Sequence, residues 1–173
     1  MNTEKKTCCF FGHRKIDKTE SLKNKLYETI ENLIVENNVD TFIFGSNSAF
    51  DDLCLETATE LKEKYPHIRR VYARANYPEI DDWFKEILLQ YHDDTYCPEH
   101  MENVGKASYV KRNKDMIDKS EICIIYYKKD YLPPRRKLSK SHLSDYQPKS
   151  GTNIAYQYAV KKNKTIINLA ETE

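Results

Sequence analysis

Short strand-like runs rich in apolar residues alternate along the chain with longer stretches in which apolar residues return every third or fourth position. The runs are "TCCFF" (7–11), "TFIFG" (41–45), "IRRVYA" (68–73), "EICIIYY" (121–127) and "TIINL" (165–169). Each has the length and β-branched or aromatic character of a buried strand. Between the first two, Leu22, Leu26, Ile30, Leu33 and Ile34 fall on one helical face. Asp17 and Glu20 in "DKTE" have the spacing of a capping box, which predicts the helix start there and an end near "ENN". The unit repeats: Ser48 and Asp51 form a second such pair before Phe50, Leu53, Cys54, Ala58 and Leu61, until Pro66 ends the helix beyond Lys64. Strands alternating with helices imply crossover connections and hence a parallel sheet.

Further along, Trp83, Phe84, Ile87, Leu88 and Tyr91 predict another covering helix whose aromatics belong to the core. "DDTYCP" reads as a short strand, and residues 107–119 and "SGTNIAYQYAVKK" as two more helices. Residues 128–149 break every periodicity and hold seven Lys or Arg against two Asp, a long basic loop. Loops of that length within a domain are usually lids or disordered.

A chain of 173 residues fits one domain, 1–173. With 28 basic and 27 acidic residues, the overall field does not by itself recruit nucleic acid or an anionic membrane. No apolar run approaches the ~20 residues that span a bilayer, and "MNTEKK" does not open a secretory signal, so the expected location is cytoplasmic. The five cysteines are odd in number and contain no C-x-x-C pair, so they read as reduced core residues. Cys97 and His100 supply two ligands where structural zinc takes four; no metal and no cofactor is expected.

Three of the four glycines, Gly12, Gly45 and Gly151, fall where a helix follows a strand or loop. In a parallel sheet that is the carboxyl edge, where helix N-termini face the ligand crevice and glycine admits close approach to the backbone. His13 and Arg14 stand at the first of these turns, "GSNS" (45–48) at the second and Ser150-Gly151-Thr152 at the third. Arg112 and Asn113 lie one turn before Met116 and Ile117, so a charge shares a face with core residues and needs a partner. Either Asp115 or Asp118 pairs with it, or it faces an anionic ligand.

The motifs "CCFFGHR", "GSNSAFD", "YPHIRRVYA", "RNKDMIDKSEICIIYY" and "SGTNIAYQYAVKKNKTIINL" resemble, in this order, the YpsA-like branch of the SLOG (SMF/DprA-LOG) superfamily. That superfamily includes the DprA proteins and the Lonely Guy phosphoribohydrolases. The resemblance implies an α/β fold, a Rossmann-like three-layer sandwich with a mostly parallel sheet, whose carboxyl edge binds a nucleotide or a nucleotide-derived ligand. Carried over by position, the contacts are Gly12, His13 and Arg14; Gly45, Ser46, Phe50 and Asp51; Arg112 and Asn113; and Ser150, Gly151 and Thr152.

Two departures qualify the implied chemistry. "GSNS" keeps one glycine where the branch has a pair, and the catalytic glutamates of the phosphoribohydrolases are replaced by Ile154 and Ala155. Only Asp51, Glu56 or Asp118 then remains as an acid for cleaving an N-glycosidic bond. Three functions follow in order of expectation: a module that binds or senses a nucleotide-like small molecule, a nucleoside or nucleotide N-glycoside hydrolase, and a single-stranded nucleic acid binder using the basic loop with Tyr131 and Tyr146. Relatives in the superfamily often pair, so a homo-oligomer is also expected.

Overall fold

Along the chain the elements are β1 (Lys6–Gly12), α1 (Glu20–Asn37), β2 (Val39–Phe44), α2 (Ala49–Lys64), β3 (Arg69–Ala73), α3 (Asp82–Leu89), β4 (Asp94–Tyr96), α4 (Ser108–Asp118), β5 (Ile122–Tyr126), β6 (Arg136–Lys137), β7 (Asp145–Tyr146), α5 (Gly151–Lys161) and β8 (Thr165–Asn168). They come from a computed structural model that describes residues 4–45, 47–133, 136–137, 145–146 and 149–170. Six strands form one sheet in the order β4-β3-β2-β1-β5-β8, and every neighbouring pair is parallel. Within the stretch read as a basic loop, β6 and β7 form a separate antiparallel pair of two residues each. Much of the remainder of that stretch, residues 134–135, 138–144 and 147–148, lies outside the described residues.

The central strands are buried on both faces, which is why they read as continuous apolar runs. Cys8, Phe10, Phe42, Phe44, Ile122 and Ile124 point to one side and pack with α1 and α2. Cys9, Phe11, Ile43, Cys123 and Ile125 point to the other and pack with Met116 and Ile117 of α4 and Ala155 and Ala159 of α5. The result is the three-layer α/β sandwich of Rossmann type. All five apolar residues expected on α1 are buried, as are all five on α2, each contributing about 1.5–3 kcal/mol for the larger side chains.

Two expectations need correction. Helix α1 is capped by Thr19, whose Oγ1 accepts the Leu22 N–H at 3.1 Å, and not by an Asp17–Glu20 box. The Thr19 N–H is already turned back to the Asp17 carbonyl at 2.9 Å, so Thr19 is the extended residue at the helix entrance. Second, α3 has no buried residue, and Trp83 is 70% exposed. This helix packs beside β4, an edge strand of three residues, which offers too little sheet to cover an aromatic face.

Candidate functional site

The strand order reverses direction between β1 and β5: the chain first winds outward through β2, β3 and β4, then crosses to β5 and β8. The crevice of an open parallel sheet lies at such a switch, outside the carboxyl ends of the strands. Gly12 closes β1 there, in register with Tyr126 of β5. A Cβ on Gly12 would lie 2.4 Å from the Cβ, Cγ and Cδ1 of Phe50, so the missing side chain lets the first turn of α2 close onto the end of β1. The Ala49 N–H donates to the Arg14 carbonyl at 2.9 Å and fixes the same approach from the other side. Gly12, His13, Arg14, Phe50 and Asp51 are thereby gathered in one corner.

His13 is 3% exposed. Its backbone N–H donates to the Tyr126 carbonyl at 3.3 Å, and its ring Nε2 accepts the Lys128 N–H at 2.8 Å. The ring stacks on Tyr131 with centroids 4.0 Å apart. Burial and then the Lys128 charge hold its pKa below the ordinary histidine value, which keeps the ring neutral at pH 7. A neutral ring whose Nε2 accepts must carry its proton on Nδ1. That Nδ1 is buried and has no hydrogen-bond partner among the described residues. Arg14 beside it is exposed to solvent.

Arg112 reaches the edge from α4. Its guanidinium lies against Gly45, where a Cβ would meet Nε at 2.9 Å and the Met116 Sδ at 2.7 Å. Nε and Nη2 both donate to the Asn113 Oδ1, at 3.2 and 3.0 Å, and the Tyr109 ring centroid is 5.5 Å from Cζ. The residue is 4% exposed and, among the described residues, forms no ion pair. The carboxylates that sequence spacing offered as its partners are committed elsewhere. Asp115 binds Lys119 and the Tyr96 hydroxyl, while Asp118 accepts from Tyr158 and pairs with Lys162. Burial lowers the arginine pKa, opposed by the nearby Tyr72 and Asp51, yet a guanidinium stays charged in proteins. Desolvating such a cation costs roughly several kcal/mol, and hydrogen bonds to a charged group return about 1.5–3 kcal/mol each.

A second buried arginine, Arg74, sits at the same edge just past β3 and was not singled out from sequence. It donates to the carbonyls of Tyr77 and Pro78 and to the Thr95 Oγ1, with no carboxylate partner among the described residues. The available signal was its position, the first residue after a strand on the edge where the glycines also collect. Tyr131, named from sequence only as an aromatic of the basic loop, and the Lys128 N–H hold the His13 ring, a role that local sequence does not mark.

The Ser150 turn opens α5, whose N-terminus faces the same carboxyl edge. Ser150 Oγ accepts the Asn153 N–H at 3.0 Å and caps the helix, which leaves its hydroxyl hydrogen free to donate to an anion. Thr152 is buried, whereas Gly151 is exposed and nothing lies within 4 Å of the Cβ it lacks. A cavity of about 570 Å³ adjoins this end, between Tyr127–Asp130 and the first turns of α5. Ser48 likewise caps α2 by accepting the Asp51 N–H at 3.0 Å. Ser46 lies outside the described residues.

Not every proposed acid reaches this edge. Asp51 is 2% exposed in the first turn of α2. Glu56 is five residues further on, about 7.5 Å along the axis, and exposed to solvent. Asp118 ends α4 about 9 Å from Arg112, toward the amino edge. Ile154 is half-buried and Ala155 is packed into the core, so these positions serve packing. Among the described residues no group of three or more His, Cys, Asp or Glu is arranged to hold a metal ion, and no helix is long and apolar enough to cross a membrane.

The YpsA family model, described as the YspA SLOG family, matches residues 5–161. The chain belongs to this SLOG family. Among curated proteins it is 30% identical over 124 residues to the uncharacterized SPbeta prophage-derived protein YoqJ of Bacillus subtilis strain 168, covering 61% of this chain and 71% of that one. It is also 30% identical over 98 residues to a UPF0398 protein of Streptococcus pyogenes serotype M1, covering 54% of this chain and 56% of that one. The YpsA match takes in every element of the edge described above, from β1 to the end of α5.

Proposed function

We propose that this YpsA-type SLOG domain binds a nucleotide or nucleotide-derived anion at the carboxyl edge of its sheet, with the anionic group against Arg112. The observation that carries the reading is the burial of that guanidinium without a carboxylate partner among the described residues. An incoming phosphate supplies the missing counter-charge in a bidentate geometry suited to arginine. Gly45 keeps the guanidinium close to the backbone, Asn113 orients it, and the His13 Nδ1–H offers a neutral donor at the neighbouring strand end. Arg74 adds positive potential along the same edge.

Calorimetry with a panel of nucleoside phosphates, NAD-derived compounds and cyclic nucleotides tests the reading. At least one compound is expected to bind, and Arg112→Gln to weaken it by about tenfold or more, the loss of one charge-assisted contact. Failure of the whole panel with folded protein would remove it.

A second reading, N-glycoside hydrolysis, draws on Asp51, a buried carboxylate near enough to influence Arg112. It requires free base to accumulate when nucleoside monophosphates are incubated with the protein, and Asp51→Asn to stop it. No release of base, or release unchanged in that variant, excludes it.

A further inference from the structure

Beside the first turn of α5 the fold leaves a hydrogen-bond acceptor unused. Asn153, the third residue of that helix, has its Oδ1 buried with no donor among the described residues. Buried side-chain oxygens are normally satisfied, and an exception calls for a reason. The 570 Å³ cavity at this end is lined by Asn153 and, one turn on, by Gln157. Its volume lies within the range of small-molecule pockets. The terminal torsion of asparagine is soft, so a turn of the amide brings Oδ1 to the cavity, where an N–H of a ligand can reach it.

Two aromatic rings form the wall. Tyr127 and Tyr156 stack with centroids 4.9 Å apart and 26° between their planes. Both are half-buried, packed on the core and also lining the cavity. Tyr127 is held just past β5 by Asn168 of β8, whose Oδ1 accepts its N–H at 3.1 Å and whose Nδ2 donates to its carbonyl at 2.9 Å. Fixed rings beside two amides suit a flat heterocycle, because a π face accepts any base and amides supply both donors and acceptors for its edge. At the same mouth Lys128 and Lys129 outnumber Asp130, and neither lysine forms an ion pair among the described residues.

We propose that this cavity is the base subsite for a nucleoside diphosphate whose terminal phosphate meets Arg112, an inference that rests on the anion site proposed above. Arg112 packs against Gly45 at the end of β2, whereas the cavity lies beyond β5, and the end of β1 with His13 stands between them. At about 4.8 Å per strand the separation is roughly 10–14 Å. That span places a terminal phosphate, and not the one next to the ribose, against Arg112. The exposed Lys128 and Lys129 then face the phosphate next to the ribose.

Calorimetry on the full chain with ADP, GDP, CDP and UDP, their monophosphates and ribose 5-phosphate tests the assignment. At least one diphosphate is expected to bind about tenfold or more tightly than its monophosphate. Asn153→Ala and Tyr156→Leu should each weaken that diphosphate by about tenfold and leave ribose 5-phosphate, which has no base, unchanged. Circular dichroism verifies that both variants fold, and Gln157→Ala, on the exposed side of α5, should give a smaller loss without touching the core. Diphosphate binding that depends on Arg112 but is indifferent to Asn153, Tyr156 and Gln157 overturns the base subsite and leaves the anion site standing. A monophosphate that binds as tightly as its diphosphate overturns the span. Equal loss of ribose 5-phosphate binding in the cavity variants marks a structural effect and overturns the subsite as well. Failure of every compound with folded protein removes the anion site and the base subsite together.

Discussion

Replacing Gly12 by alanine tests how the candidate site is built. The new Cβ would sit 2.4 Å from three atoms of Phe50, including its Cβ, where carbon atoms normally approach to about 3.5–4.0 Å. A rotamer change moves Cγ and Cδ1 but leaves the Phe50 Cβ fixed to the α2 backbone, so the first turn of that helix must retreat by more than about 1 Å. Phe50 is fully buried, and overpacking of this kind costs about 1–3 kcal/mol. The retreat also strains the Ala49–Arg14 hydrogen bond, worth about 1 kcal/mol more. A total of roughly 2–4 kcal/mol lowers Tm by about 4–16 °C in a chain of this length. Far-UV circular dichroism is the suitable probe, because Trp83 is too exposed to report on this corner. Phe50→Leu keeps Cβ and should leave the strain of Gly12→Ala in place, whereas Phe50→Gly removes that atom and should show positive coupling with Gly12→Ala in a double-mutant cycle. A single variant within about 1 °C of wild type, with no coupling, would refute the packing argument for this glycine.

Other outcomes follow from the same coordinates. Gly151→Ala meets open space and opens α5, so stability should hold or rise by up to about 1 kcal/mol; ligand affinity should nevertheless fall if the backbone there is approached closely. Ser48→Ala removes the cap of α2 and should cost about 1 kcal/mol in urea unfolding. Burial holds His13 and His92 below the usual histidine pKa, so the folded state binds fewer protons than the unfolded chain. Stability should therefore be fully present above about pH 6.5 and decline as pH falls, with a shallower decline in His13→Gln; an unchanged slope counts against a neutral buried His13. Four of the five cysteines are buried, so native protein should react with a thiol reagent only at Cys97, and slowly, since burial raises that thiol's pKa. Five should react after unfolding.

Legibility of the fold tracked how far each element's burial is determined locally. Strands covered on both faces must be apolar throughout, and α1 and α2 must each carry an apolar stripe, so these elements and the parallel sheet were readable from residue order alone. The α3 aromatics misled because periodicity shows which residues share a face, not whether anything covers it; an edge strand three residues long does not. The α1 cap misled because Asp17 and Thr19 are both competent caps, and the choice depends on where the preceding turn closes.

By itself the sequence determined which turns meet the carboxyl edge, because alternating strands and helices in a parallel sheet send every strand-to-helix turn to the same side. Only the tertiary structure decided what those turns hold. Sequence left Arg112 a choice between Asp115, Asp118 and an outside anion, and the packing of α4 against α5 and β4 committed both carboxylates to Lys119, Tyr96, Tyr158 and Lys162. Likewise the proton position on His13 follows from a backbone N–H 115 residues away. Charge balance and tautomers are set by neighbours in space, and a folded chain chooses those neighbours through contacts that no local stretch encodes.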